Sequence, residues 1–110
     1  MAAADQALER ATQGAASAAP KQAAEAYLAV RRAYPESTAG QEALFEAGIL
    51  FFEAKDYVAA RKALNELLFE DPLFPKADEA KLKLGLSSLE VGAYRDAYQS
   101  LLSLSDHLEG

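Results

Sequence analysis

The sequence has 110 residues, of which 51% are hydrophobic, and a formal net charge of −6. A chain of this length can form a single domain with its own hydrophobic core. It contains no cysteine, which excludes disulfides and cysteine-ligated zinc, and its acidic charge argues against a nucleic-acid-binding surface, which needs to be basic. The longest apolar run covers only residues 48–52, far short of the roughly 18 residues of a membrane-spanning helix. We therefore expect one domain with no transmembrane segment.

Six helices are expected, because Ala, Leu, Glu, Lys and Gln dominate the chain and β-branched residues are few. The first predicted helix covers residues 3–13, and its Ala-rich sequence makes it the least stable. The second covers residues 20–34, opens with a proline in its first turn and stops before another proline. The third covers residues 38–54, with Ser37 or Thr38 as its N-cap.

The second half of the chain repeats this arrangement. A tight turn is predicted at residues 55–56, followed by a helix over residues 57–70 that an Asp-Pro pair stops. The last two helices are expected at residues 75–90 and 93–107, with Gly92 in the turn between them.

An internal repeat accounts for this regularity, because a shift of 37 residues brings distinctive residues into register. The matched pairs are Pro35 with Pro72, Glu42 with Glu79, Ala43 with Ala80, Gly48 with Gly85, Glu53 with Glu90, Tyr57 with Tyr94, Ala60 with Ala97, Leu64 with Leu101, and Leu67 with Leu104. Three helix hairpins are predicted within a single domain of residues 1–110, at about residues 3–36, 37–73 and 74–110. The small matched residues let the two helices of a hairpin approach closely, and stacking of neighbouring hairpins completes the core.

At these positions the sequence resembles the tetratricopeptide repeat (TPR). The residues that carry the resemblance are Leu44, Ala47, Gly48, Phe51, Asp56, Tyr57, Ala60, Leu64, Leu67 and Pro72, and then Leu84, Gly85, Gly92, Tyr94, Ala97, Leu101 and Leu104. The pattern covers about residues 20–108 and departs at Lys81 and Ser88, where large residues are usual, so looser packing is expected there. The resemblance implies an all-α, right-handed α-solenoid of about three hairpins that binds proteins and is not an enzyme.

The loops between the predicted hairpins carry the information on cellular location. The segments 34–37 and 71–75 add three residues to the usual repeat of 34. The Tyr-Pro-x-Ser loop before an Ala-rich helix looks like the repeats of bacterial envelope proteins, such as Tol–Pal-associated coordinators, outer-membrane assembly lipoproteins and the N-terminal domains of penicillin-binding-protein activators. This resemblance implies a periplasmic scaffold for cell-envelope or peptidoglycan machinery. The alternative is a cytosolic adaptor of the same fold, because the first residues do not form a signal peptide. Whether the chain is part of a longer protein stays open.

The resemblance also implies a binding face, since the first helix of each TPR hairpin lines the concave surface. Helical spacing places the following residues there: apolar Phe45, Ile49, Phe52, Leu82, Leu86 and Leu89, flanking Glu42, Glu53, Glu79 and Glu90, and Leu8 and Thr12 of the first helix. Such a lining predicts an apolar or amphipathic protein segment as partner and disfavours a clamp for a C-terminal carboxylate, which needs Lys, Arg and Asn. Alternatively, these side chains are covered by the N-terminal helix or by sister chains in a homo-oligomer.

No residues with catalytic or cofactor-binding spacing stand out. The only histidine, His107, is expected on the surface near the end of the last helix, and no phosphate-binding or nucleophile motif occurs. Glu66, Glu70 and Asp71 have the spacing of a solvated helix face. We therefore expect no cofactor, no metal and no enzymatic activity. The last helix is too apolar for a solvated end, which predicts either a further helix or a second copy against it.

Overall fold

The structure is a computed structural model that describes the backbone of residues 2–109 and the side chains of residues 3–104. Its helices are α1 (Ala2–Ala15), α2 (Pro20–Ala33), α3 (Thr38–Glu53), α4 (Tyr57–Glu70), α5 (Ala77–Glu90) and α6 (Tyr94–Glu109). Over residues 2–109 there is no β-strand, so the prediction of six helices in an all-α fold is confirmed. None of the described helices is long and apolar enough to cross a membrane. The predicted surface position of the His107 side chain lies outside the described residues.

Local chemistry fixes most of the helix boundaries. Ser37 is the N-cap of α3, because its Oγ accepts a hydrogen bond of 2.8 Å from the Gly40 amide. Asp56 caps α4 in the same way through the Ala59 amide. The two hairpin turns each contain one residue with positive φ, Lys55 at 63° and Gly92 at 81°, which is the left-handed conformation that suits glycine.

The start of α5 differs from the prediction. A helix from Pro75 was expected, but α5 begins at Ala77. The chain forms two consecutive turns first, in which the Phe74 amide bonds to the Asp71 carbonyl and the Ala77 amide bonds to the Phe74 carbonyl. These turns direct the Phe74 side chain into the core, and this tertiary contact has no local sequence signal.

Helices that follow each other in the chain pack together, and α3 also contacts both α1 and α5. By contrast, α2 and α4 have no Cα atoms within 8 Å of each other among the described residues, and neither do α4 and α6. The odd-numbered helices therefore form a continuous layer, while the even-numbered helices are separated by grooves. Two buried clusters fill the interior, one centred on α1 to α4 and one on α3 to α5.

Gly48 and Gly85 occupy the closest approaches within their hairpins. A Cβ atom on Gly48 would lie 2.6 Å from Leu64 Cδ2, and one on Gly85 would lie 2.8 Å from Leu101 Cδ2. The prediction that small residues permit close helix packing at these positions is therefore confirmed. The expected loose packing at Ser88 is wrong, because this side chain is completely buried and accepts a hydrogen bond from Arg61.

Candidate partner-binding groove

The candidate site is the surface of the odd-numbered helices, to which we refer as the odd-helix face. It comprises the half-buried or exposed apolar residues Ile49, Phe52, Leu82, Leu86 and Leu89, and the carboxylates Glu42, Glu46, Glu53, Glu79 and Glu90. Direct contacts join its α3 and α5 parts. Lys76 Nζ lies 3.1 Å from Glu42 Oε2, and Lys83 Nζ lies 4.7 Å from the centroid of the Phe52 ring. The structure therefore brings together the residues that the sequence places on two separate helices.

Phe45 is not available on this face, contrary to its predicted place in the groove. Only 2% of Phe45 is exposed, and its ring lies 5.5 Å from the ring of Phe74, which folds over it from the α4–α5 loop. The loop contains two apolar residues, Leu73 and Phe74, between two prolines, and this is the one sequence signal that could have indicated the cover. Phe45 therefore belongs to the core.

The remaining apolar residues form a gradient of exposure. Ile49 and Phe52 are half-buried at the edge of the core, and Phe52 also meets the edge of Tyr57 with ring centroids 5.6 Å apart. Leu86 is half-buried as well, whereas Leu82 is 38% exposed and Leu89 is 43% exposed. The α5 side of the face is therefore more open than the α3 side.

The α1 residues contribute little to this surface. Leu8 packs in part against the core, and the Thr12 hydroxyl accepts a hydrogen bond of 2.9 Å from Tyr27 of α2. The open part of the face is consequently carried by α3 and α5.

A carboxylate cluster surrounds Lys76 at one end of the face. Burial, followed by the charge of Glu42, raises the pKa of Glu46, and Glu79 adds to the same effect. The hydrogen bond to Glu42 is the main cause that raises the pKa of Lys76. Glu46 was not predicted as part of the site, although it lies four residues after Glu42 and so shares its helix face.

The charge of the odd-helix face is negative. Its five carboxylates stand against two ammonium groups, Lys76 and Lys83, which gives a formal charge of −3. Sequence reasoning missed both lysines: Lys76 precedes α5, and Lys83 lies between two leucines, so only the packing of α5 on α3 shows their position.

A second cavity, of about 650 Å³, lies between α2 and α4. Its apolar floor includes Leu28, Leu44 and Phe51, and ion pairs between α2 and α4 lie toward its two ends. Its charged lining is mixed in sign, comprising Lys21, Arg31, Arg32 and Lys62 with Glu25, Asp56 and Glu66.

Arg31 links α2 to α4 across this cavity. Its guanidinium donates to Glu66 Oε2 at 3.2 Å, to the Pro35 carbonyl at 2.9 Å and to Glu70. Glu66 and Glu70 are solvent-exposed, as the sequence predicts, but both also pair with the buried Arg31. No local spacing in the sequence connects Arg31 with residues 35 and 39 positions away.

Among the described side chains, no group of three or more His, Asp or Glu residues is arranged to hold a metal ion. No protein-family model matches the chain, and no curated protein matches it.

Proposed function

We propose that this chain is a non-catalytic protein-binding scaffold, built as a right-handed α-solenoid of three TPR-like hairpins with a 37-residue period. The observation that supports it best is the order in which the helices pack: α3 contacts α1 and α5, whereas the described even-numbered helices have no Cα atoms within 8 Å of each other and are linked only by side chains. A stack with close contacts on one side only curves toward that side, which makes the odd-helix face its concave surface.

The proposed ligand is an apolar or amphipathic segment of another protein. Leu82 and Leu89 are exposed on this face next to the half-buried Phe52 and Leu86. Complete burial of a large apolar side chain stabilises by roughly 1.5–3 kcal/mol, and several such side chains together offset part of the cost of association. A segment with two or three apolar residues on one side therefore has enough surface to bind.

The compartment that we propose is the bacterial cell envelope, on the periplasmic side. This proposal rests on the resemblance of the Tyr34-Pro35-Glu36-Ser37 loop to repeats of envelope proteins. In the structure this loop joins two hairpins: Ser37 accepts from the Gly40 amide, and its hydroxyl donates to the Tyr34 carbonyl at 2.9 Å. Localisation of the natural protein by cell fractionation tests it, and a cytosolic protein would support the adaptor alternative.

Self-association is a second candidate function, and the exposed face of α6 favours it. Tyr94, Tyr98 and Leu102 follow each other at intervals of four residues and are all exposed. Leu101 is only half-buried, whereas its repeat partner Leu64 is completely buried. One side of α6 therefore carries three exposed apolar side chains in a row.

A paired substitution tests the proposed groove. We expect Leu82→Asp with Leu89→Asp to keep the helical content while reducing the fluorescence of a neutral apolar dye, Nile red, several-fold. The matched control is Val58→Asp with Phe69→Asp, which changes two exposed apolar residues of α4 by the same charge. The control should keep most of the dye signal. Unfolding of the Leu82/Leu89 variant, or an unchanged dye signal, would contradict the proposal.

A further inference from the structure

We infer that the segment bound by the odd-helix face is basic as well as amphipathic, with Lys or Arg beside its apolar residues. This inference rests on the proposed function and specifies the chemistry of the partner. It is supported by the way in which the protein's own lysines already occupy this face, and by the carboxylates that these lysines leave unpaired.

The protein's own lysines show which contacts the face offers to a cation. Lys83 Nζ lies over the ring of Phe52, and Lys76 Nζ lies 5.4 Å from the centroid of Phe45 while pairing with Glu42. An ammonium group over an aromatic ring gains electrostatic attraction from the ring face. Aromatic rings thus already hold cations at two places along α3, and a carboxylate adds to the attraction at Lys76.

Four of the five carboxylates form no ion pair with a described cation, although the charges of Glu46 and Glu79 act on Lys76, and three of the four are exposed. The exposed three are Glu53, Glu79 and Glu90. Glu53 and Glu90 are the last residues of α3 and α5, where the unpaired carbonyl groups of a helix end add negative potential. The contacts of Lys76 with Glu42 and of Lys83 with Phe52 show that α3 and α5 run in the same direction, so both acidic ends point toward one end of the face.

These carboxylates share the helix faces of the apolar residues. Glu53 follows Ile49 by four positions, and Glu90 follows Leu86 by four, so each pair lies on one side of its helix. A bound segment with apolar residues on Leu86 and its neighbours would bring its flanking side chains against these acids. We call Glu53, Glu79 and Glu90 the acidic rim of the face. Cationic flanking side chains are attracted to this rim, whereas anionic ones are repelled by it. The cavity between α2 and α4 has nearly balanced charges, so it would not distinguish a cationic partner from an anionic one.

Synthetic peptides test the inference directly. The probe is a fluorescein-labelled amphipathic helix of about 14 residues, about 21 Å long, made of Leu and Lys, and its partner probe has every Lys replaced by Gln. Binding is measured by fluorescence anisotropy at several salt concentrations. We expect the Lys peptide to bind roughly tenfold more tightly than the Gln peptide at low salt, with the advantage shrinking as salt rises.

Two triple variants of equal charge separate the face from the overall acidity of the protein. Glu53→Gln, Glu79→Gln and Glu90→Gln remove three exposed acids of the face, while Glu25→Gln, Glu36→Gln and Asp96→Asn remove three exposed acids of even-numbered helices and a loop. The rim variant should lose most of the preference for the Lys peptide, and the control should keep it. In addition, Lys83→Met frees the face of Phe52 and should tighten binding of the Lys peptide by about twofold to fivefold.

Each outcome has a distinct meaning. Equal binding of the Lys and Gln peptides, with loss of both in the Leu82/Leu89 variant, overturns the basic partner but leaves the groove intact. Equal losses in both triple variants also overturn the inference, because net charge alone then explains the binding. If neither peptide binds at any salt concentration, the proposed function itself fails.

Discussion

Arg61 Nε of α4 donates a hydrogen bond of 3.1 Å to Ser88 Oγ of α5, at the junction where the second hairpin packs on the third. At the junction between the first and second hairpins, two apolar residues of α2 and α3 take the place of this pair. A shift of 37 residues places Ala24 on Arg61 and Phe51 on Ser88. Ala24 and Phe51 lie in one buried cluster. The first junction thus combines a small residue from the even helix with a large one from the odd helix, and the second junction reverses the sizes.

This reversal of sizes predicts that substitutions at Arg61 and Ser88 have non-additive effects on the free energy of unfolding. Arg61→Ala leaves a gap and an unpaired buried hydroxyl, at a cost of about 1–2 kcal/mol, and Ser88→Phe alone overpacks the junction by about 1–3 kcal/mol. The double variant should lose at least about 1 kcal/mol less unfolding free energy than the two single variants added together, because it recreates the small-and-large pair of the first junction. Urea unfolding of the four proteins measures this. Additive effects would show that the two residues do not share one space.

Asp96 provides the control for this cycle, since Arg61 also bonds to Asp96 Oδ2 at 2.9 Å. The Asp96 side chain is 59% exposed, so Asp96→Asn should cost under about 1 kcal/mol.

Glycine substitutions test the close helix approaches. Gly48→Ala should destabilise the protein by about 1–3 kcal/mol, because the added Cβ meets the completely buried Leu64. This cost exceeds the gain of about 1 kcal/mol in helix propensity. Gly14→Ala is the matched control: nothing lies within 4 Å of its added Cβ, so it should be neutral or stabilising. Thermal unfolding that ranks the two variants in the opposite order would contradict the packing described here.

The two α2 cations that form ion pairs toward α4, Arg31 and Lys21, should differ in their contribution to stability. Arg31 is buried and bonds to two carboxylates and a carbonyl, so Arg31→Met should cost about 1–3 kcal/mol. Lys21 is 67% exposed and lies 3.7 Å from Asp56, so Lys21→Met should cost less than about 1 kcal/mol. Both variants lose one positive charge, which controls for net charge. Equal unfolding midpoints in urea would count against a structural role for Arg31.

Glu46 should make stability depend on pH. Because burial and Glu42 raise its pKa in the folded protein, its favourable contribution is complete below the ordinary value of 4.5 and is lost as pH rises through the folded value. Wild type should therefore gain stability from this group on acidification from pH 7 toward 5. Glu46→Gln should lack this gain and be roughly 0.2–0.5 kcal/mol more stable at pH 7, since it removes a like-charge pair.

The control for this experiment is Glu25→Gln, which removes an exposed carboxylate of α2. Urea unfolding at pH 5 and pH 7 measures the change in unfolding free energy for each variant. If this change is the same for Glu46→Gln and Glu25→Gln, the environment of Glu46 does not cause the pH dependence.

The features that the sequence predicts best are those that interactions between neighbouring residues determine, such as the ends of helices. Both ends of α4 are predicted, because its N-cap Asp56 and the Asp71-Pro72 stop act within one turn of the helix. The repeat also predicts the roles of Gly48 and Gly85, since both occur at one position of the 37-residue register.

Features that depend on contacts between hairpins are predicted poorly. Helical spacing assigned Phe45 to the groove, but the cover over it comes from Phe74 in the next loop. Arg31 has no acidic neighbour at helical spacing in α2, and its partners Glu66 and Glu70 come from α4. In both cases the decisive partner lies 29 or more positions away, beyond the reach of any helical period.

An open odd-helix face in the isolated protein can be tested by measuring the light-scattering mass at increasing protein concentration with Nile red present. We expect the monomer mass of 11.8 kDa over the concentration range, together with dye fluorescence that the Leu82/Leu89 variant loses. A stable dimer or trimer that leaves the dye dark would contradict this expectation, because the apolar residues of the face would then already be covered by sister chains.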